Sequence, residues 1–196
     1  MTLSQVNRYF AMCGIASLLV TIACFFGNAA GNDGTDAFDY LTILAWILVL
    51  FGLFGSYFSQ IERLGALGFV GFLGLTASTI GVIGTVMLHN FAFPVIDSLH
   101  SGLVADDLLA SDLPSPISDA LLASSYTFTA GPVLYGLAIL LRSTTARWPG
   151  ALLIIVGLSS GIANWVGILG LISYIGFPIA AFWMGVQMLR KSSSLE

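Results

Sequence analysis

Apolar residues in this chain gather into runs about as long as a bilayer is thick. A helix needs about 20 of them to cross about 30 Å of hydrocarbon. Four runs meet that length, at Tyr9–Asn28, Tyr40–Ser59, Ala66–Leu88 and Ala120–Leu141. A fifth, Trp148–Leu189, holds 42 residues and as one helix would be about 63 Å long, twice the membrane. It is therefore expected to be two spans joined by a tight turn near Asn164–Gly170. The pattern predicts an all-α fold in one domain over residues 1–196. That fold is a polytopic transmembrane bundle of six helices, at about 9–28, 40–59, 66–88, 120–141, 148–166 and 170–189.

The connections on one side are Gly27–Asp39 and His89–Asp119. The first is short and rich in Asn, Gly and Asp, which predicts irregular backbone. In the second, Leu99, Leu103, Leu108 and Leu109 recur at helical spacing, with Asp97, Asp106 and Asp107 between them. Two readings fit equally: a short amphipathic helix on the outer membrane surface, or a solvated acidic loop. Pro114 and Pro116 end either one, and Ser118 or Asp119 can cap the fourth span.

Composition fixes the class. Only 8% of residues are charged, 57% are apolar, and the mean hydropathy is +0.96. A soluble domain carries roughly a quarter charged residues and could not cover its surface with so few. Six Lys and Arg against ten Asp and Glu leave no basic patch for phosphates, so nucleic acid is excluded as a partner. The placement of charge then sets orientation, because positive residues favour the cytoplasmic side. With six alternating spans, Arg8, Arg63, Arg142, Arg147, Arg190 and Lys191 share one face. Asp33, Asp36, Asp39, Asp97, Asp106, Asp107, Asp112 and Asp119 share the other. Random placement of the six positive charges would segregate them this way roughly once in thirty trials. Both termini are therefore expected on the cytoplasmic side of a bacterial or archaeal cytoplasmic (inner) membrane. The first run is long enough to span, and Ala29-Ala30-Gly31 is a weak cleavage site, so the amino terminus reads as a span and not a cleavable signal. Cys13 and Cys24 lie about 16 Å apart along that helix and cannot bridge to each other.

No Asp, Glu, Lys or Arg falls within the central part of any span. Ion-coupled transporters, proton pumps and voltage sensors usually keep such a group at depth. A retinal protein needs a membrane lysine, and the only lysine is Lys191 at the tail. Ser159 and Ser160 lack a histidine or lysine partner for nucleophilic catalysis. His89 and His100 match no haem or metal spacing, alone or with Asp97 and Asp106, and read as interfacial polar residues. Asp33, Asp36 and Asp39 sit in an oxygen-rich loop that lacks the twelve-residue calcium pattern. No catalytic residue, cofactor or metal is expected.

Glycine carries the strongest pattern. Gly65, Gly68, Gly71 and Gly74 recur every three residues on span three, with Gly81 and Gly84 following. Gly157 and Gly161 pair on span five, as do Ala181 and Gly185 on span six. Small residues let backbones approach, so dispersion replaces the missing hydrophobic drive between helices. Gly65, Gly68, Gly71, Gly74, Gly157, Gly161 and Gly185 are the expected packing positions, within the chain or against a partner. Thr76, Ser78, Thr79, Ser159, Ser160, Asn164 and Gln187 are the candidate cavity or ligand contacts. Pro132 and Pro178 can kink their spans and free carbonyls there. Trp46, Trp165, Trp183, Tyr126 and Tyr174 supply aromatic surface for a neutral or lipid-like ligand. Interhelical hydrogen bonds and interfacial anchoring account for the same residues without one. A weak repeat is also visible: Gly52 to Leu67 echoes Gly136 to Leu152, each turning at an arginine and re-entering through Gly-Ala-Leu.

Three stretches carry a resemblance over residues 40–189: Gly65–Phe72, Phe91-Ala92-Phe93-Pro94-Val95, and Arg147-Trp148-Pro149-Gly150-Ala151-Leu152-Leu153. The chain resembles uncharacterised small bacterial six-span integral membrane proteins. The resemblance implies a fold and a location but no reaction, since that group has no assigned activity. The expected function is non-enzymatic. It is either helix packing, as an accessory or scaffold subunit, or the binding of a lipid-like molecule. The expected partners are the lipid bilayer and a second copy or another membrane protein. The alternative is a small uniporter or channel for a neutral solute, lined by spans three, five and six.

Overall fold

The computed structural model describes residues 3–29, 36–99, 115–143, 147–162 and 167–193. These are helical almost throughout: α1 (Leu3–Ala29), α2 (Asp36–Phe58), α3 (Ile61–Met87), a π-helical turn (Leu88–Ala92), α4 (Phe93–Leu99), α5 (Ile117–Arg142), α6 (Arg147–Ile162) and α7 (Gly167–Ser193). Because α3, the π-turn and α4 are continuous, the described residues form six rods. Helix is the form in which a single apolar segment satisfies its own backbone polar groups, which hydrocarbon cannot do for it. Among the described residues, five stretches are long and apolar enough to cross a membrane: Gln5–Gly27, Ala37–Phe58, Ile61–Ile96, Ser118–Arg142 and Leu169–Arg190. Arg147–Ile162 is apolar but shorter, at 16 residues or about 24 Å. Of the turn expected at Asn164–Gly170, residues 164–166 lie outside the described residues, while Gly167–Gly170 are not a turn but the first turn of α7, which begins earlier than expected.

The rod pairs α1/α2, α1/α7, α3/α5 and α5/α6 run antiparallel, in close backbone contact at small residues. Gly14 of α1 lies against Gly52 of α2, and Gly71 of α3 against Tyr135 of α5. Gly136 of α5 lies against Gly150 of α6, and Gly185 of α7 against Ala11 of α1. The alternation carries Arg8, Arg63, Arg142, Arg147 and Arg190 to one end of the bundle. The aspartates Asp39 and Asp119 stand at the other.

The core is built around α2. Its Trp46, Val49, Leu53 and Tyr57 meet Phe72 and Leu75 of α3, Tyr135 and Ile139 of α5, Val156 of α6, and Phe177 and Met184 of α7. Tyr57 stacks on Phe72 with ring centroids 4.2 Å apart. The helix α1 contributes differently: its buried stripe is Ala11, Gly14, Ser17, Thr21 and Cys24, all small and at helical spacing. The two cysteines are free, with Cys24 in that stripe.

The structure revises several boundaries. Span three was expected to stop at Leu88, yet the helix continues to Leu99. Pro94 lacks an N–H and would press on the carbonyl of Asn90 in a regular α-helix. The wider π-turn at Leu88–Ala92 directly before it relieves that clash, so the rod continues. Asp36–Asp39, expected in a loop, forms the first turn of α2. The helix α5 begins at Ile117 after Pro116, without a side-chain cap; Asp119 instead accepts a hydrogen bond from Ser115 Oγ at 2.7 Å. Of the expected amphipathic segment, Leu99 ends α4, while Leu103, Asp106, Asp107, Leu108 and Leu109 lie outside the described residues. The sequence echo is not repeated in packing: Gly136 meets Gly150 of its own hairpin, whereas Gly52 meets Gly14 of α1.

Candidate functional site

The rods α3 and α5 touch along one edge and then part. A Cβ on Gly74 would lie 3.1 Å from Gly131 Cα, and one on Gly81 would collide with the Ser124 side chain. One turn further on, a Cβ on Gly84 would meet nothing within 4 Å. From there a groove of about 810 Å³ opens, lined by Gly81, Gly84, Thr85, Met87, Leu88, Phe91, Ala92, Val95 and Ile96 on one wall and Ala120 and Ser124 on the other. Thr85 Oγ1 donates to its own helix at Gly81 O, 3.0 Å away, so one of the two hydroxyls in the lining is spent internally. What remains is an apolar trough, with Met87 51% and Val95 57% exposed along it. Its upper wall is pinned to α2: Asn90 Nδ2 donates to Asp39 Oδ1 at 2.8 Å, and Tyr40 packs on Phe91 with centroids 4.9 Å apart.

No family model, curated protein or solved structure matches this chain. The reading of the site therefore rests on its own chemistry.

Six of the seven polar candidates from the sequence are among the described residues, and the hydrogen bonds of Ser78, Thr79 and Ser160 run to backbone carbonyls. Ser78 and Thr79 are buried and both donate to Leu75 O of their own helix at 2.8 Å. Ser160 Oγ donates to Gly157 O at 2.7 Å and reaches Phe128 O of α5 at 3.3 Å. Phe128 is the residue four before Pro132, so its carbonyl lacks the usual helical partner. Ser159 is buried in α6, and Asn164 lies outside the described residues. The side-chain oxygens of Thr76 and Gln187 are buried without a hydrogen-bond donor. His89 is exposed and meets Phe93 edge-on at 4.9 Å; His100 lies outside the described residues.

The candidate glycines divide. Gly71 lies on the α5 backbone at Leu134 and Tyr135, Gly74 on Gly131, Gly157 on Thr129 O, Gly161 on the Thr129 side chain, and Gly185 on Ala11 O. Gly68 faces Leu64 of its own helix. Gly65 has φ 59° and ψ −161°, a conformation essentially confined to glycine, and it kinks the start of α3. The kink exposes Leu64 O, which accepts a hydrogen bond from Arg142 Nη1 at 3.1 Å.

Sequence reasoning missed a buried polar chain in the core. Tyr135 OH donates to Ser56 Oγ at 3.2 Å, and Ser56 Oγ donates to Met184 sulfur at 2.9 Å, joining α5, α2 and α7. None of the three stands out within its own helix. Only their meeting identifies them.

Proposed function

We propose that this chain is a non-enzymatic, six-span protein of a bacterial or archaeal cytoplasmic membrane that holds a lipid-like molecule in the groove between α3–α4 and α5. Both termini face the cytoplasm, by the segregation of its positive charges. The groove carries the functional reading. It lies within the volume range of ligand sites, it is almost wholly apolar, and it opens sideways along helices that read as membrane-embedded.

The alternative roles have less support. A scaffold needs a small-residue face to offer a partner, but Gly71, Gly74, Gly157, Gly161 and Gly185 already lie on helices of this chain. A channel for a neutral solute needs polar groups along a shared path. Ser78 and Thr79 instead spend their protons within α3.

Gly84→Phe tests the proposal, because the added ring enters the groove without meeting a neighbouring atom at Cβ. Protein purified in mild detergent is expected to retain a long-chain lipid measurable by mass spectrometry. Gly84→Phe should lower that retention about tenfold while the thermal midpoint holds. Equal retention in the two proteins would defeat the groove as the site.

A further inference from the structure

Resting on that reading, we infer that the groove selects an amphiphile with an ammonium head group from the leaflet at the aspartate end of the bundle. Depth comes first. Asp39 stands in the first turn of α2, and its hydrogen bond to Asn90 fixes which part of α3–α4 lies level with that polar end. Gly81, at the foot of the groove, is nine residues earlier and so about 13.5 Å deeper. That is close to half of a hydrocarbon core about 30 Å thick. Ile96, at the other end, lies six residues and about 9 Å beyond the same level. The groove thus runs from the middle of the bilayer to past its surface, the course of a single leaflet's acyl chain. The apolar lining near Ile96 leaves the head group to lie among the side chains around the rim.

Charge decides what that head group is. Among the described residues, Asp36 and Asp39 at the start of α2 and Asp119 at the start of α5 stand on this side, and Arg8, Arg63, Arg142, Arg147, Arg190 and Lys191 stand on the opposite side. Asp119 immediately precedes Ala120 in the groove wall, and Asp39 stands at the pinned shoulder. The titratable cation-former among the described residues here is His89, whose ring meets Phe93. Among the described residues at this end, an anionic head would find carboxylates and no Lys or Arg, whereas an ammonium would find complementary charge. Such complementarity governs selection more than total affinity.

The test uses the full-length protein in vesicles of digalactosyl diacylglycerol, an uncharged host without an ammonium group, with trace lipids of one acyl composition, each carrying a photoreactive diazirine in the chain. Three head groups are compared: trimethylammonium, uncharged glycerol and phosphate. The ammonium lipid is expected to label peptides covering Met87–Ile96 at least tenfold more than the phosphate lipid. That ratio should fall toward one in Asp119→Asn, with Asp39→Asn as the second variant, and in 1 M salt, where screening acts over about 3 Å. Equal or stronger labelling by the phosphate lipid, still lost in Gly84→Phe, would overturn the head-group assignment and leave the groove standing. Labelling no higher than on exposed α1 and unchanged by Gly84→Phe would remove the groove reading itself.

Discussion

Ser56 and Tyr135 are 79 residues apart in the chain and meet at 3.2 Å in a core where both have no exposed surface. Their contributions to stability are unequal because the two deletions leave different remainders. Tyr135→Phe removes the phenol proton but leaves Ser56 its contact with Met184 sulfur. The expected loss is about 0.6 kcal/mol, the mean for interhelical hydrogen bonds in membranes. Ser56→Ala leaves the phenol oxygen buried with no acceptor, a penalty of about 1–3 kcal/mol. Denaturant unfolding in micelles should therefore rank Ser56→Ala as the more damaging change, and the reverse order would show that the Tyr135 hydroxyl finds another partner. The same scale shows what hydropathy cannot see. Serine, tyrosine and methionine in an apolar run are unremarkable singly, and their pairing depends on tertiary contacts spanning up to 128 residues.

At the scale of elements, Pro132 and Ser160 form a coupled pair across α5 and α6. Proline removes the partner of Phe128 O, and Ser160 Oγ supplies a long 3.3 Å replacement. Ser160→Ala should therefore cost about 0.5 kcal/mol in the parent protein, within the range of interhelical bonds in membranes. In a Pro132→Ala background the backbone N–H of residue 132 satisfies the carbonyl, and the cost of Ser160→Ala should approach zero. A double-mutant cycle measures that coupling directly, and a coupling of zero would show that the 2.7 Å bond to Gly157 O is all Ser160 contributes. Helix existence was legible in the sequence because any long apolar segment in lipid must close its own hydrogen bonds. Helix ends were less so: span three was expected to stop at Leu88, and the π-turn that carries the rod past Pro94 shows only in the structure. Faces were the least legible, since lipid-facing and core-facing positions are both apolar. The α1 stripe of Ala11, Gly14, Ser17, Thr21 and Cys24 is the exception, because residue size there marks the packed side where hydropathy does not.

At the scale of the whole molecule, the described arginines stand at the end opposite Asp39 and Asp119, and the candidate groove opens at the aspartate end. The six-span reading turns on α6, whose 16 described residues cover about 24 Å against about 30 Å of hydrocarbon. A short span is accommodated by local thinning of the bilayer and by interfacial anchors at its ends. Arg147 and the 79% exposed Trp148 are anchors of that kind at the start of α6. If α6 crosses, the start of α7 lies outside and its end lies inside. A topology reporter fused after Gly167 should then read outside, and one fused after Lys191 should read inside. Both reporters outside would mean that α7 does not cross, and Arg190 and Lys191 would no longer share a face with Arg8; both inside would mean that neither α6 nor α7 crosses. The same experiment bears on the groove: a single cysteine at Asp119, in a background without Cys13 and Cys24, should react with an impermeant maleimide added to intact cells. A cysteine at Glu62 should stay protected until the cells are opened. Reversal of the two would place the groove mouth in the cytoplasmic leaflet and move the source of its ligand with it.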